Sequence, residues 1–125
     1  AKDDRQFGKR PELLYPMDKG PYIALRIGVV LLEVVGGLEI NTLSMQVLRS
    51  GEEIPLTRKE YELLLLFARN VGVVLSKMTI YERVWGGEYP ENTRTVELHV
   101  QRMKKKLGWE GHIQAVYKIG YRLET

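Results

Sequence analysis

The side chains best equipped for chemistry in this chain are Arg94, Gln101, Arg102 and Lys105, and their chemistry is recognition rather than bond-making. They lie in RTVELHVQRMKKKL, residues 94–107, and the first question is which way they point. With Val96 as zero and about 100° per residue, Val100, Met103 and Leu107 fall within about 40° of Val96. Those residues make one narrow apolar stripe. Arg94, Leu98, Gln101 and Lys105 fall on the opposite side, with Arg102 beside them. A helix docked by one stripe, with such a face outward, suits the major groove of DNA. Arginine forks onto guanine, glutamine pairs with adenine, and an apolar side chain touches the thymine methyl. Water alone also explains a charged outer face, and Lys104-Lys105-Lys106 suits any solvated helix end, where cations complement the dipole. An ordinary solvated face mixes signs, however. Here only Glu97 interrupts the basic run from Arg94 to Lys106.

Other chemistries find few side chains. With no cysteine there is no disulfide, thiolate metal site or cysteine nucleophile. His99 and His112 lack metal-ligand spacing. Ser44, Ser50 and Ser76 lack a nucleophile elbow, and no glycine-rich phosphate loop follows a strand. Glu52 and Glu53 sit beside a turn, as solvated acids do. The expectation is no enzyme, no cofactor and no metal. The greasiest run, Tyr22 to Val35, is broken by Arg26, Gly28 and Glu33. It falls short of the ~20 apolar residues that span a bilayer, so no membrane association is expected and the compartment read is the cytoplasm. Charge is unevenly spread. Residues 94–125 hold 7 basic and 3 acidic side chains, net +4, whereas the rest of the chain sums to −1. A local basic patch is the electrostatic signature of phosphate binding.

These residues need elements to hold them. Residues 1–30 read as a linker or arm of uncertain order, with Pro11, Pro16, Gly20 and Pro21 as punctuation. The β-branched run from Ile23 to Ile40 reads as one long strand or two short ones, with Gly36-Gly37 as a bulge or bend. Asn41 to Ser44 reads as a turn, Met45 to Arg49 as a strand, Ser50-Gly51 as a tight turn and Glu53 to Leu56 as a short strand. The period then changes. Thr57-Arg-Lys-Glu60 is a capping box opening a helix to about Asn70, with Gly72 as its stop. Ser76 caps a second helix, Lys77 to Trp85, whose apolar side is Met78, Tyr81, Val84 and Trp85. The basic helix is third. A hairpin of Ile113 to Val116 and Tyr121 to Glu124 turns near Lys118 to Gly120. The fold class expected is α+β: a winged helix-turn-helix with an N-terminal antiparallel sheet, three helices and a C-terminal β-hairpin wing, over residues 31–125.

From about Leu31 to Glu124 the chain resembles the C-terminal DNA-binding effector domain of OmpR/PhoB-type response regulators. Ile54-Pro-Leu-Thr57 with Glu60 and Leu64-Leu65 resembles the opening of that family's first helix. Val74-Leu-Ser-Lys77 with Val84-Trp85-Gly86 resembles its second. Arg94-Thr-Val-Glu-Leu-His-Val with Arg102, Met103, Lys104 and Lys106 resembles its recognition helix. Val116 with Gly120-Tyr-Arg-Leu123 resembles its wing. The specificity lies in having all of them in order.

The resemblance implies sequence-specific binding to double-stranded promoter DNA, with head-to-tail dimers on direct repeats. It implies a contact with RNA polymerase through Gly87, Glu88, Tyr89, Pro90, Glu91 and Asn92. In the longer protein it implies a phosphorylated receiver domain served by a sensor kinase, whose frayed end Arg5 to Leu14 resembles. By position, Arg94, Thr95 and His99 match phosphate contacts; Glu97, Leu98 and Arg102 match positions facing base edges. Packing of His99 against the first helix is an equal alternative. Gln101 and Lys105 join the DNA-facing set, as does Lys106, although its helical phase leans toward the stripe and favours use of its aliphatic stem. Tyr121 matches a wing tyrosine at phosphate. Where many members carry arginine and glycine after the first wing valine, this chain has Tyr117 and Lys118. Lys118 reaches a groove or phosphate without arginine's planar fork. The rival reading is a winged helix that binds an acidic protein partner.

Overall fold

The fold is seen in a computed structural model that describes residues 12–13, 23–27 and 30–125, with side chains from residue 33 onward. The chain divides into two compact units, residues 1–55 and 56–125.

In the first unit, turns at residues 36–37, 42–45 and 50–51 fold the chain back on itself. The strands are β1 (Glu12–Leu13), β2 (Ile23–Ile27), β3 (Val30–Val35), β4 (Leu38–Asn41), β5 (Gln46–Arg49) and β6 (Glu52–Glu53). They form a six-stranded antiparallel sheet in chain order. Gly36-Gly37 is a two-residue hairpin turn rather than a bulge, with Val35 paired to Leu38 across it. Both glycines have positive φ, 53° and 80°, as the turn that matches strand twist requires. Ser50-Gly51 repeats the device between Arg49 and Glu52. Asn41 Oδ1 accepts the N–H groups of Leu43 and Ser44 and holds the turn expected there. Met45 leaves the strand predicted for it, since its φ is +58°. Val35, Leu38, Ile40 and Val47 are buried. Of the arm expected over residues 1–30, Glu12–Leu13 and Ile23–Ile27 are strands. Val30 opens β3; the other residues of the arm, with most of the receiver-like Arg5 to Leu14, lie outside the described residues.

The second unit contains α1 (Arg58–Ala68), β7 (Leu75–Ser76), α2 (Lys77–Val84), α3 (Thr95–Leu107), β8 (Ile113–Val116) and β9 (Gly120–Leu123). The capping box is present in full: Glu60 N–H donates to Thr57 Oγ1, and Thr57 N–H donates to Glu60 Oε1 at 2.9 Å. Ser76 caps α2 by accepting Thr79 N–H. Lys59 Nζ donates to Val84 O at 2.9 Å, tying the start of α1 to the end of α2. On α2 the buried residues are Ile80 and Val84. Met78, expected inside, is 54% exposed, because Ile80 rather than Met78 takes the inner face. Trp109 is wholly buried just past α3, where Gly108 turns the chain at φ 67°. The core also holds Leu63, Leu64, Phe67, Ile113 and Leu123.

β7, β9 and β8 form a three-stranded sheet in that order. Sequence reading placed a two-strand hairpin there. The third strand, β7, belongs to the connection between α1 and α2, and Gly72 N–H donates to Leu123 O beside it. These are the three helices and hairpin of a winged helix-turn-helix.

Candidate nucleic-acid interface

Helix α3 is held by the predicted stripe: Val96, Val100, Met103 and Leu107 are each at most 1% exposed. That fixes the opposite face outward. Arg94, Gln101, Arg102 and Lys105 are exposed there, and Leu98 is 41% exposed. Arg94 stands at the N-cap without a side-chain cap bond. Thr95 is tied back to Thr93, its N–H donating to Thr93 Oγ1 at 3.2 Å. The positive end of the helix dipole thus meets Arg94 and Thr95, a setting that suits an anion.

Two nominated residues look elsewhere. Glu97 meets Lys77, the first residue of α2, with Nζ to Oε2 at 3.1 Å. Burial raises the Glu97 pKa, but hydrogen bonds and the charges of Lys77 and Arg94 outweigh it and hold the carboxyl below its usual range. The Lys77 ammonium is correspondingly raised, chiefly by its bond to Glu97. The second is Lys106. Its ammonium lies 2.7 Å from Glu60 Oε1 in the first turn of α1, so Lys106 is engaged in an internal ion pair. The helical phase that leaned it toward the stripe is the reason.

His99 is half-buried beside the C-terminal cap of α2. Its ring meets Trp85 edge-on, 4.9 Å between centroids. Trp85 stacks on Tyr81 at 5.4 Å, and Tyr89 meets Tyr81 edge-on at 5.6 Å. A file of rings therefore runs from the connecting loop through α2 to α3, which the spacing of Tyr81 and Trp85, one helical turn apart, could have signalled. His99 Nδ1 lies 2.9 Å from Thr95 O. A carbonyl only accepts, so Nδ1 carries a proton, and Nε2 is an acceptor in the neutral ring. A phosphate contact through Nε2 then requires the charged ring. In the loop, Gly87, Glu88, Pro90, Glu91 and Asn92 are exposed and Tyr89 is half-buried. Asn92 adopts φ +61°, a conformation asparagine tolerates.

The wing turns through Tyr117, Lys118 and Ile119, with Val116 paired to Gly120. Lys118 has φ +61° and holds its ammonium 5.3 Å from the centroid of the Tyr117 ring, which is 82% exposed. Tyr121 is half-buried beside the Lys77–Glu97 pair. Burial first, then the Glu97 charge, raises its pKa, so its hydroxyl remains a neutral donor. Gly120 has no room for a side chain: a Cβ there would lie 1.9 Å from Leu75 O. β7 thereby presses the wing's returning strand against the start of α2. Arg94, Glu97, Lys77 and Tyr121 come together at this corner. Lys77 was not nominated from the sequence, and Met103, Ile80 and Trp109 support the corner only from within.

Residues 51–123 match the sequence profile of a family described as "Transcriptional regulatory protein, C terminal". The chain belongs to this family. As a member, it is the DNA-binding domain of an OmpR/PhoB-type transcriptional regulator, of a class that is not enzymatic. It is 44% identical over 90 residues to the transcriptional regulatory protein CseB of Streptomyces avermitilis, covering 72% of this chain and 38% of that protein. It thus spans about two fifths of the length of such relatives. Among solved structures, the DNA-binding domain of Bacillus subtilis CssR is similar, with TM-score 0.63 and 33% identity over 69% of this chain and 98% of that one. So is the Klebsiella pneumoniae RstA DNA-binding domain in complex with the RstA box, with TM-score 0.65 and 25% identity over 71% and 92%. Among the described residues no helix is long and apolar enough to cross a membrane.

Proposed function

We propose that this domain binds promoter DNA sequence-specifically by laying α3 in the major groove with the β8–β9 wing alongside. The observation that carries the reading is the outer face of α3. It exposes Arg94, Leu98, Gln101, Arg102 and Lys105, while the helix's one acid is drawn onto Lys77. Arg102 and Gln101 read base edges, and Leu98 offers apolar contact to a thymine methyl. Arg94, Thr95, Lys105, Lys118, Tyr121 and the charged form of His99 hold phosphates. Glu97 acts at the edge of this set through Lys77. The solved RstA domain, bound to its box, supports the same use of the fold.

Further parts of the reading concern the longer protein. The domain works as head-to-tail pairs on direct repeats, and the exposed loop Gly87 to Asn92 meets RNA polymerase. A receiver domain, phosphorylated by a sensor kinase, governs it in the cytoplasm. The relatives' greater length and the resemblance support these parts.

The deciding experiment is selection from a random duplex pool, then titration of the winner against a scrambled duplex at physiological salt. The expected outcome is a direct repeat bound about a thousandfold more tightly than the scramble. Equal, steeply salt-dependent binding to both would sink the reading and leave a basic surface suited to an acidic protein partner.

A further inference from the structure

The apolar stripe on α3 fixes which face is outward, and close packing limits rolling of the helix about its axis; polar contacts refine what small roll remains. Rolling matters. At a radius of about 5–6 Å, a roll of about 10° moves an outward side chain by about 1 Å, enough to spoil a two-point hydrogen bond to a base edge. Directional restraint is added by polar contacts, and α3 has one near each end. Near its amino end Glu97 binds Lys77 at 3.1 Å. In its last turn Lys106 binds Glu60 at 2.7 Å.

The second contact joins a buried carboxylate to a half-exposed ammonium, the Lys106 side chain being 41% exposed. The Glu60 side chain is 3% exposed. Its Oε1 accepts both the Thr57 N–H that closes the capping box and the Lys106 ammonium. A carboxylate this enclosed is costly to leave without its cation, so Lys106 is not available to swing out to a phosphate. A short charged hydrogen bond is also directional. It joins the rigid first turn of α1 to the last turn of the helix carrying Gln101 and Arg102.

Resting on the DNA-reading role given above, we propose that Lys106 is a positioning residue. Through Glu60 it sets the roll of α3, and so the base discrimination of Arg102 and Gln101, without touching DNA. The test uses the chain with Lys106→Met and, separately, Lys106→Arg. Each is titrated with the selected duplex and a one-base variant across a salt series, at a temperature where circular dichroism shows it folded. Lys106→Met is expected to lower the cognate-to-variant affinity ratio about tenfold. The slope of log affinity on log salt should stay within about 0.3 of the parent, since no phosphate contact is lost. Lys106→Arg, which keeps the charged bond, restores the ratio. A slope reduced by about 0.9 with an unchanged ratio would make Lys106 a phosphate contact and overturn the proposal. So would an unchanged ratio and slope. Should Lys106→Met fail to fold, Glu60→Gln decides. It leaves Lys106 in place, so it cannot delete a phosphate contact, and an unchanged ratio there overturns the proposal. A parent domain that does not discriminate between duplexes at all would instead bring down the functional reading, and this proposal with it.

Discussion

Arg102 and Lys105 are both exposed on the outer face of α3, yet their removal should fail in different ways. Arg102→Ala is expected to cost about 1–3 kcal/mol on the selected site and to relax preference at one base. Equal weakening on every sequence would make Arg102 a phosphate contact. Lys105→Ala should weaken all duplexes alike and lower the salt slope by about one unit; an unaltered slope removes it from the interface. The division into outer and inner residues was legible in the sequence, because helical phase is local. What phase cannot show is which distant side chain lies opposite. The partners of Glu97 and Lys106, Lys77 and Glu60, come from other helices and so lay beyond the reach of phase. The ring contact of His99 with Trp85 at the α2 end lay beyond phase for the same reason.

Elements announced themselves where their signal is a cap or a period. Thr57 with Glu60, Ser76 and the α3 stripe set the three helices within a residue or two. Strand β7, of two residues, was missed because no alternation can show in so short a run. Gly36-Gly37 was read as a bend because a glycine pair suits a bulge as well as a hairpin. Only the strands on both sides decide. Gly120 shows how tightly β7 and the wing are joined. Gly120→Ala would press a methyl into the Leu75 carbonyl, where backbone must move. The expected cost is about 1–3 kcal/mol, read as a lower Tm, with weaker DNA binding from a displaced wing. An alanine variant as stable as the parent would mean that the two strands part easily.

Charge sets the behaviour of the molecule as a whole. The basic excess lies wholly in residues 94–125, and two carboxyls in the second unit are tuned to sit beside cations. Burial raises the Glu60 pKa, but Lys106 and the Thr57 bonds outweigh it and leave the group below its usual range. Glu97 is likewise lowered against the effect of burial, by a backbone hydrogen bond first and then by Lys77. A carboxyl depressed on folding contributes stability above its unfolded pKa of about 4.3. That contribution is lost as pH falls through the lower folded value. Thermal stability should be level between about pH 7 and 5 and fall below about pH 4, less steeply in Glu97→Gln. An equally steep acid limb in that variant would show that Glu97 is not part of the linkage. The uneven charge and the order of elements were legible in the sequence. The division at residue 55 was not, since Pro55 is one of several prolines and nothing local sets it apart.

The pairing of Leu75 with Tyr121 and the hydrogen bond from Gly72 to Leu123 also govern how the second unit assembles. Neither contact can form until β9 has been made, and both bridge a long stretch of intervening chain. Closing that loop costs entropy before any contact repays it, which slows folding relative to a bundle of helices with local contacts. During synthesis α1, α2 and α3 leave the ribosome first, without the strand that locks β7. A nascent chain halted before Gly120 should therefore be sensitive to protease between Gly72 and Ser76, and lose that sensitivity only when β9 emerges.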